Sequence, residues 1–108
     1  MKLINLTGHK LNIPHLGLEI PPAMEVAKAN QRQNLVCIID QLPVFEMEYV
    51  RITGLPGPVE GVVYIVPSVV LNAVKHLYPE RTDCLATHRP IKDAYGVTIG
   101  CSALRSNG

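Results

Sequence analysis

The sequence predicts a single α+β domain over residues 1–108, in which a β-rich small sheet or open barrel carries one helix at about residues 69–78. Three observations predict this fold. Most apolar residues occur in short runs or alternate with polar residues, as in strands, whereas one segment repeats them at helical spacing. Nine prolines and eight glycines divide the chain into short pieces. A chain of 108 residues also has room for one thin core and not for two.

The N-terminal half reads as strands separated by turns. Residues 2–6 predict a strand, and residues 10–13 predict a second strand that forms a hairpin with it. The pieces that follow are an extended segment at 16–20, a half-exposed strand at 25–29, a polar loop at 30–34, a buried strand at 35–39, a turn at 40–43, an alternating strand at 44–52 and an irregular segment at 54–58. Cys37 lies in the aliphatic run, where we expect a small buried side chain.

The C-terminal half contains the predicted helix. Residues 62–66 predict a central, largely buried strand that leads directly into it. Ser68 is placed to cap the helix, and Pro79 ends it. The apolar stripe of this helix consists of Val69, Val70, Ala73, Val74 and Leu77. After an irregular segment to about residue 89, we expect a final hairpin of 91–92 with 97–103 around a turn at 93–96, and frayed residues at 104–108.

Composition and charge argue against several classes of function. Ten basic and nine acidic residues give a net charge of +1, and this balance, with few aromatic residues, argues against a nucleic-acid partner. No apolar stretch is long enough to span a bilayer and no leader pattern follows Met1, so we expect no membrane partner. Three widely spaced cysteines are a poor disulfide framework, which favours a reducing cytoplasm. The spacing of histidines and cysteines predicts no metal site, and we expect no cofactor.

Three polar segments are candidate sites: residues 5–9, the strand–helix junction at Ser68, and residues 81–83. They can converge if the first strand lies beside the central strand. The ligand-binding residues would then be Thr7, His9, Ser68, Arg81 and Asp83. A helix N-terminus favours an anion, and the Arg81 guanidinium matches a phosphate. Each segment also has a local explanation, namely a turn that satisfies its own backbone, a helix cap and a surface ion pair.

Binding is favoured over catalysis. No Gly-x-Ser-x-Gly nucleophile elbow is present, and neither Cys84 nor Cys101 lies in a recognisable activating context. Whether the chain is an enzyme stays open, with a small nucleotide-acting enzyme that uses His9 as general base as the alternative. The thin core and the aliphatic strands predict that another copy covers part of the surface, so we expect a homo-oligomer.

Four short segments, at 4–9, 61–68, 79–83 and 93–101, contain the sequences Asn-Leu-Thr-x-His, Tyr-Ile-Val, Arg-x-Asp and Ile-Gly-Cys. In these segments the chain resembles a group of small uncharacterised proteins from phage and prophage genomes. The resemblance implies a phage-encoded accessory protein in the host cytoplasm, and it carries over no functional residue. For such proteins, interference with host defence is a common role.

Two counter-defence mechanisms are open. In the first, the protein binds and sequesters an anionic, nucleotide-derived signal without transforming it. In the alternative, it is an anti-CRISPR-like inhibitor that binds a host defence protein. The sequence features that favour this alternative are the Pro/Gly-rich loop at 54–61 and the exposed acidic positions Glu46, Glu48 and Glu60.

Overall fold

A computed structural model describes residues 2–106 and confirms a β-rich α+β fold with one α-helix packed on a sheet. The strands of this part of the chain are β1 (Lys2–Asn5), β2 (Leu11–Ile13), β3 (Leu18–Ile20), β4 (Lys28–Ile39), β5 (Leu42–Thr53), β6 (Val62–Ile65), β7 (Cys84–Lys92) and β8 (Thr98–Arg105). The α-helix, α1, covers Ser68–Leu77, and a short 3₁₀ helix covers Pro14–Leu16.

The main sheet has the strand order β1-β6-β7-β8. β1, β6 and β7 are parallel, with α1 as the crossover between β6 and β7, whereas β8 runs antiparallel to β7. The predicted first hairpin is wrong, because β1 pairs with β6 and β2 pairs with β3. The reason is burial: Leu6, directly after β1, is 2 % exposed in the core, which a hairpin at the surface would not provide.

The core lies between the main sheet and α1. It is mostly aliphatic, and its members are Leu6, Ala27, Tyr64, Val66, Val70, Leu71, Val74, Cys84 and Ala86. The predicted cap is wrong: Ser68 is the first helical residue, and Pro67 stands at the N-cap with no side-chain cap hydrogen bond. The helix starts one residue too early for a serine cap, because the Pro67 carbonyl already accepts the Leu71 N–H and so makes Pro67 the N-cap. The helix ends at Leu77, two residues before Pro79, as predicted.

β4 and β5 form a separate antiparallel hairpin of 12 residues on each side. The strand predicted at 44–52 and the hairpin turn are confirmed, and both turn residues, Asp40 and Gln41, have the positive φ angles of a tight hairpin turn. The predicted loop at 30–34 is wrong, because these polar residues pair along β5, and the strand predicted from residue 25 begins only at Lys28. The predicted burial of 35–39 is also wrong, and Cys37 is exposed, because no element within residues 2–106 covers this end of the hairpin.

The final hairpin is longer than predicted. β7 already begins at Cys84, since Cys84 and the alternate residue Ala86 are buried against the core, so the irregular segment ends sooner than expected. The turn at 93–96 is confirmed, with Asp93 accepting hydrogen bonds from the N–H groups of Tyr95 and Val97. β8 continues to Arg105, which contradicts fraying at 104–105, while residues 107–108 lie outside the described residues.

The cysteines and the helix bear on the predicted compartment. In residues 2–106, which include all three cysteines, no disulfide is formed. Over the same residues, no helix has the length and apolar character needed to cross a bilayer.

Candidate functional site

A cleft of about 410 Å³ lies between the β2 segment and the β7–β8 hairpin. Its volume falls in the range of small-molecule sites, roughly 300–1,000 Å³. Its lining residues are His9, Lys10, Leu11, Asn12, Thr87, His88, Pro90, Thr98, Ile99, Gly100 and Cys101. The cleft therefore combines segments that are distant in the sequence, and β8 brings them together.

One wall of the cleft depends on a close backbone approach between β2 and β8. A Cβ atom at Gly100 would collide with the Asn12 carbonyl oxygen and crowd Pro14, so only glycine fits there without a shift of backbone. The Asn12 side-chain amide donates a hydrogen bond to the Ile99 carbonyl over 3.3 Å, which ties the two segments together.

The turn that carries His9 and Lys10 into the cleft is organised by Asn5. This side chain is 1 % exposed, and its amide donates to the carbonyls of His9 (2.6 Å) and Ile20 (3.1 Å). Its side-chain oxygen accepts from the Thr7 N–H (3.0 Å) and hydroxyl (2.6 Å). Because a buried amide is costly unless it is satisfied, these bonds fix the turn. Asn5 and Thr7 thus position the residues at the mouth of the cleft.

The opposite wall contains a strained backbone position. Arg89 has a φ of 54°, although it precedes Pro90, and a residue before proline favours extended backbone. The Ser102 hydroxyl donates to the Arg89 carbonyl over 3.5 Å. Strain of this kind concentrates at functional sites, and here it lies between two lining residues, His88 and Pro90.

The lining combines hydrogen-bond donors with apolar residues. Lys10, His9 and His88 offer N–H groups, and two threonines, Thr87 and Thr98, offer hydroxyls. No Asp or Glu contributes to the lining formed by the described residues. Glu19 lies 3.4 Å from the Lys10 ammonium, but both side chains are more than half exposed, so solvent weakens this pair. An acceptor-rich anion with an apolar part matches these surroundings.

The apolar part of the lining consists of Leu11, Pro90, Ile99, Gly100 and Cys101. Gly100 exposes backbone here, and Cys101 is 4 % exposed. A flat, apolar ring can lie on such a surface with little desolvation cost.

The five residues predicted to bind a ligand fall into separate places. His9 lines the cleft, and Thr7 belongs to the same turn with its hydroxyl engaged by Asn5. Ser68 follows the carboxyl end of β6, whereas Asp83 precedes the amino end of β7. Since β6 and β7 are parallel in the register Tyr64↔Cys84, Ser68 and Asp83 lie at opposite ends of these strands. The structure therefore does not bring the five residues together.

Arg81 and Asp83 are paired with each other. The Arg81 Nε and Nη2 atoms donate to the two carboxylate oxygens at 3.0 and 2.7 Å, and Nη2 also donates to the Pro56 carbonyl. The hydrogen bonds from Arg81 hold the pKa of Asp83 below its ordinary value, and the same bonds raise the pKa of Arg81. This pair closes the loop before β6 onto the start of β7, so the fork that was predicted to hold a phosphate is already occupied.

Cys84 is not arranged as a nucleophile. Burial, followed by the neighbouring Asp83 charge, raises the pKa of its thiol to about 11, so the thiol stays protonated at neutral pH. Among residues 2–106, no group of three or more His, Cys, Asp or Glu side chains is placed to hold a metal ion.

Sequence reasoning missed most of the cleft, including His88. The alternation of the small residues Cys84 and Ala86, both buried in β7, with larger ones is a signal of a strand, whereas the prediction for this segment is irregular backbone to about residue 89. That signal says nothing about which residues face the cleft. The chain matches no protein-family model, no curated protein and no solved structure.

Proposed function

We propose that this protein binds a small anionic, nucleotide-like molecule in the cleft between β2 and the β7–β8 hairpin. The observation that carries the proposal is the composition of the lining, in which Lys10, His9 and His88 occur together with apolar residues and, among the described residues, with no carboxylate. A nucleotide has the two matching parts, namely phosphate oxygens that accept hydrogen bonds and a flat base that packs on apolar surface.

The role we propose is sequestration by a phage-encoded accessory protein in the cytoplasm of the infected cell. A binder of this kind lowers the free concentration of a nucleotide-derived defence signal in proportion to the amount of protein made. Sequestration needs affinity and no catalytic group. We also propose that the protein acts as a homo-oligomer, since a group of large apolar side chains in the β4–β5 hairpin, among them Ile38 and Leu42, is more than half exposed, and such groups mark interaction surfaces.

The test is thermal unfolding of the purified chain with AMP, ADP-ribose and a cyclic dinucleotide as probes. A ligand that binds only the folded state stabilises it by about 2.7 kcal/mol at a concentration of 100 Kd. We expect at least one probe to raise the Tm. The absence of any rise with all three probes at saturating concentration would overturn the proposal.

Two histidine variants test whether the cleft is the binding site. His88→Ala removes a donor from the cleft and should weaken binding about tenfold or more. His15→Ala removes an exposed histidine outside the lining and should leave affinity unchanged. If His88→Ala binds as well as the wild type, or if Ser68→Ala abolishes binding instead, the cleft is not the site.

The same samples test sequestration against catalysis. After prolonged incubation, the probe should be recovered unchanged by chromatography. Conversion of the probe to a product would overturn sequestration and favour the nucleotide-acting enzyme, for which His9 at the cleft is the available general base.

A protein-binding inhibitor of a host defence complex is the second candidate. It is favoured by the exposed apolar side chains of the β4–β5 hairpin, with Phe45 49 % and Met47 50 % exposed next to Glu46. A host lysate that yields no stoichiometric partner for the immobilised protein would remove this candidate.

A further inference from the structure

The β4–β5 hairpin projects from the body of the protein. The radius of gyration is 16.4 Å, compared with about 13 Å expected for a compact chain of this length. Among the described residues, the base of the hairpin contacts the body of the protein. Ala29 and Ile52 pack against the core, and the Tyr49 ring lies 5.4 Å from the His76 ring of α1.

The outer part of the hairpin, residues 35–45, is here called the tip. Seven of its large apolar side chains are between 36 % and 68 % exposed: Leu35, Val36, Ile38, Ile39, Leu42, Val44 and Phe45. Asp40, in the turn, is the one charged residue of this segment of the sequence. Because successive side chains of a strand point to opposite faces, these residues make both faces of the tip apolar, which is rare on a protein that remains monomeric.

The part of the hairpin nearer the body has a different character. Arg32 donates to the Glu48 carboxylate at 3.2 and 2.8 Å, and Asn34 donates to the same carboxylate at 3.0 Å. These polar groups satisfy one another on one face of the hairpin and border the tip. The pattern of an apolar centre with a polar border is that of a protein interface.

The size of the tip fits one partner's share of an interface. Counted over both faces of the tip, seven large side chains at about half exposure present an area on the order of 800 Å², which is what each partner contributes to a standard-size interface. An interface of that size therefore encloses both faces of the tip. A two-stranded hairpin is also marginally stable alone in water, so covering the tip stabilises the hairpin as well.

The features of the tip favour a second copy of the chain as the occupant. A two-fold interface requires a surface that complements itself, and an apolar surface with almost no charge meets this condition without like-charge repulsion. Both strand edges are interrupted, β5 by Pro43 and β4 by the bulge at Val36, which disfavours open-ended pairing of edges. Packing of tip against tip thus gives a closed dimer.

We infer that residues 35–45 of the β4–β5 hairpin are the surface through which two copies of this chain associate. This inference rests on the proposed homo-oligomer and adds the place where the copies meet. It does not depend on ligand binding, because the tip contributes no residue to the cleft lining.

The test compares two matched lysine substitutions by analytical ultracentrifugation. Ile38 in the tip is 66 % exposed, and Leu16 in the 3₁₀ helix is 67 % exposed. The wild type should have twice the 11.8 kDa mass of one chain at micromolar concentration. Ile38→Lys should lower the mass to that of one chain, and Leu16→Lys should retain the dimer.

Each other outcome overturns the inference. A monomeric wild type would contradict both the proposed homo-oligomer and the assignment of the tip as its interface. A wild-type oligomer that Ile38→Lys leaves intact would contradict only the assignment of the tip. A monomeric wild type that co-sediments with phosphatidylcholine vesicles would show that the tip meets lipid instead. Far-UV circular dichroism of both variants verifies that each remains folded.

Cys37 supplies a second measurement that needs no substitution at the interface. It is the exposed cysteine, whereas Cys84 and Cys101 are buried. Its reaction with a maleimide should be slower in the wild-type dimer than in Ile38→Lys, because the dimer covers it. Equal rates in the two proteins at a concentration where the wild type is dimeric would contradict contact at the tip.

Discussion

Two aliphatic segments of this chain have nearly the same composition and opposite surroundings. Residues 35–39, in β4, are exposed, whereas Tyr64 and Ile65 of β6 are buried in the central strand of the main sheet. β6 has β1 and β7 on its two sides, and α1 covers its face. β4 has a single neighbour, β5, and its outer part passes beyond the helix.

The difference shows that an apolar run specifies a strand more firmly than it specifies burial in its own chain. Burial needs a second layer, and α1 supplies that layer to the central strands of the main sheet. The packing there is tight, with Val70, Leu71 and Val74 at 0 % exposure. In the inferred dimer, the second copy would supply the corresponding layer to the outer part of the hairpin.

The largest expected effect is a loss of packing in the body. Leu71→Ala should lower the free energy of unfolding by about 2–5 kcal/mol, because it removes a side chain with 0 % exposure and leaves a cavity. Leu42→Ala at the tip, where the side chain is 68 % exposed, should change it by no more than about 0.5 kcal/mol under dilute, monomeric conditions. Urea unfolding followed by circular dichroism measures both.

A milder substitution keeps this comparison measurable if Leu71→Ala does not fold. Ile65→Val, also at 0 % exposure, should cost about 0.5–1.5 kcal/mol. Equal costs for the body and tip substitutions in dilute solution would contradict the contrast between the two regions.

The elements were largely predictable from the sequence, and their neighbours were not. The period of the helix and the alternation from Val44 to Ile52 are local signals, and both elements form where predicted. The pairing of β1 with β6 joins residues about 60 positions apart, which no local pattern encodes. The polar composition of residues 30–34 predicts a loop, yet these residues lie in β4, because a strand without a covering layer can be polar on both faces.

In the candidate site, too, local features were predictable from the sequence and contacts between distant segments were not. The polar turn at 5–9 was recognisable, and His9 lies in the cleft. Arg81 and Asp83 were recognisable as a pair, but only the structure shows that each satisfies the other. His88 and Thr98 carry no local signal, since their meeting with Lys10 depends on the long-range approach of β2 to β8.

A smaller effect is expected where β2 meets β8. Gly100→Ala should cost about 1–3 kcal/mol, because the added methyl group collides with the Asn12 carbonyl and forces the backbones apart. The matched control is Gly57→Ala, where no atom lies within 4 Å, and its stability should be unchanged. Loss of nucleotide binding in Gly100→Ala, with the fold retained, would further connect this approach to the cleft. If both alanines are equally tolerated, the strands do not approach as closely as described.

The smallest expected change in the free energy of unfolding concerns two ion pairs of similar chemistry, one in the body and one in the hairpin. Arg81 and Asp83 are only 11 % and 16 % exposed in their side chains, whereas Arg32 and Glu48 in the hairpin are 61 % and 48 % exposed. Asp83→Asn should lower the free energy of unfolding by about 1–2 kcal/mol at neutral pH, since it leaves Arg81 partly buried with a weaker partner. Glu48→Gln should have the smaller effect, because solvent screens the exposed pair.

The pH dependence gives the sign of the Asp83 contribution. The hydrogen bonds from Arg81 place the pKa of Asp83 in the folded protein below its value in the unfolded chain. The stabilisation is thus complete above the unfolded pKa and disappears as the pH falls through the folded pKa. Asp83→Asn should therefore flatten the loss of stability between neutral and acidic pH, as measured by urea unfolding across that interval. If the free energy of unfolding falls equally toward acidic pH in the wild type and in Asp83→Asn, the prediction is contradicted. The partly buried pair would then stabilise the body no more than the exposed pair stabilises the hairpin.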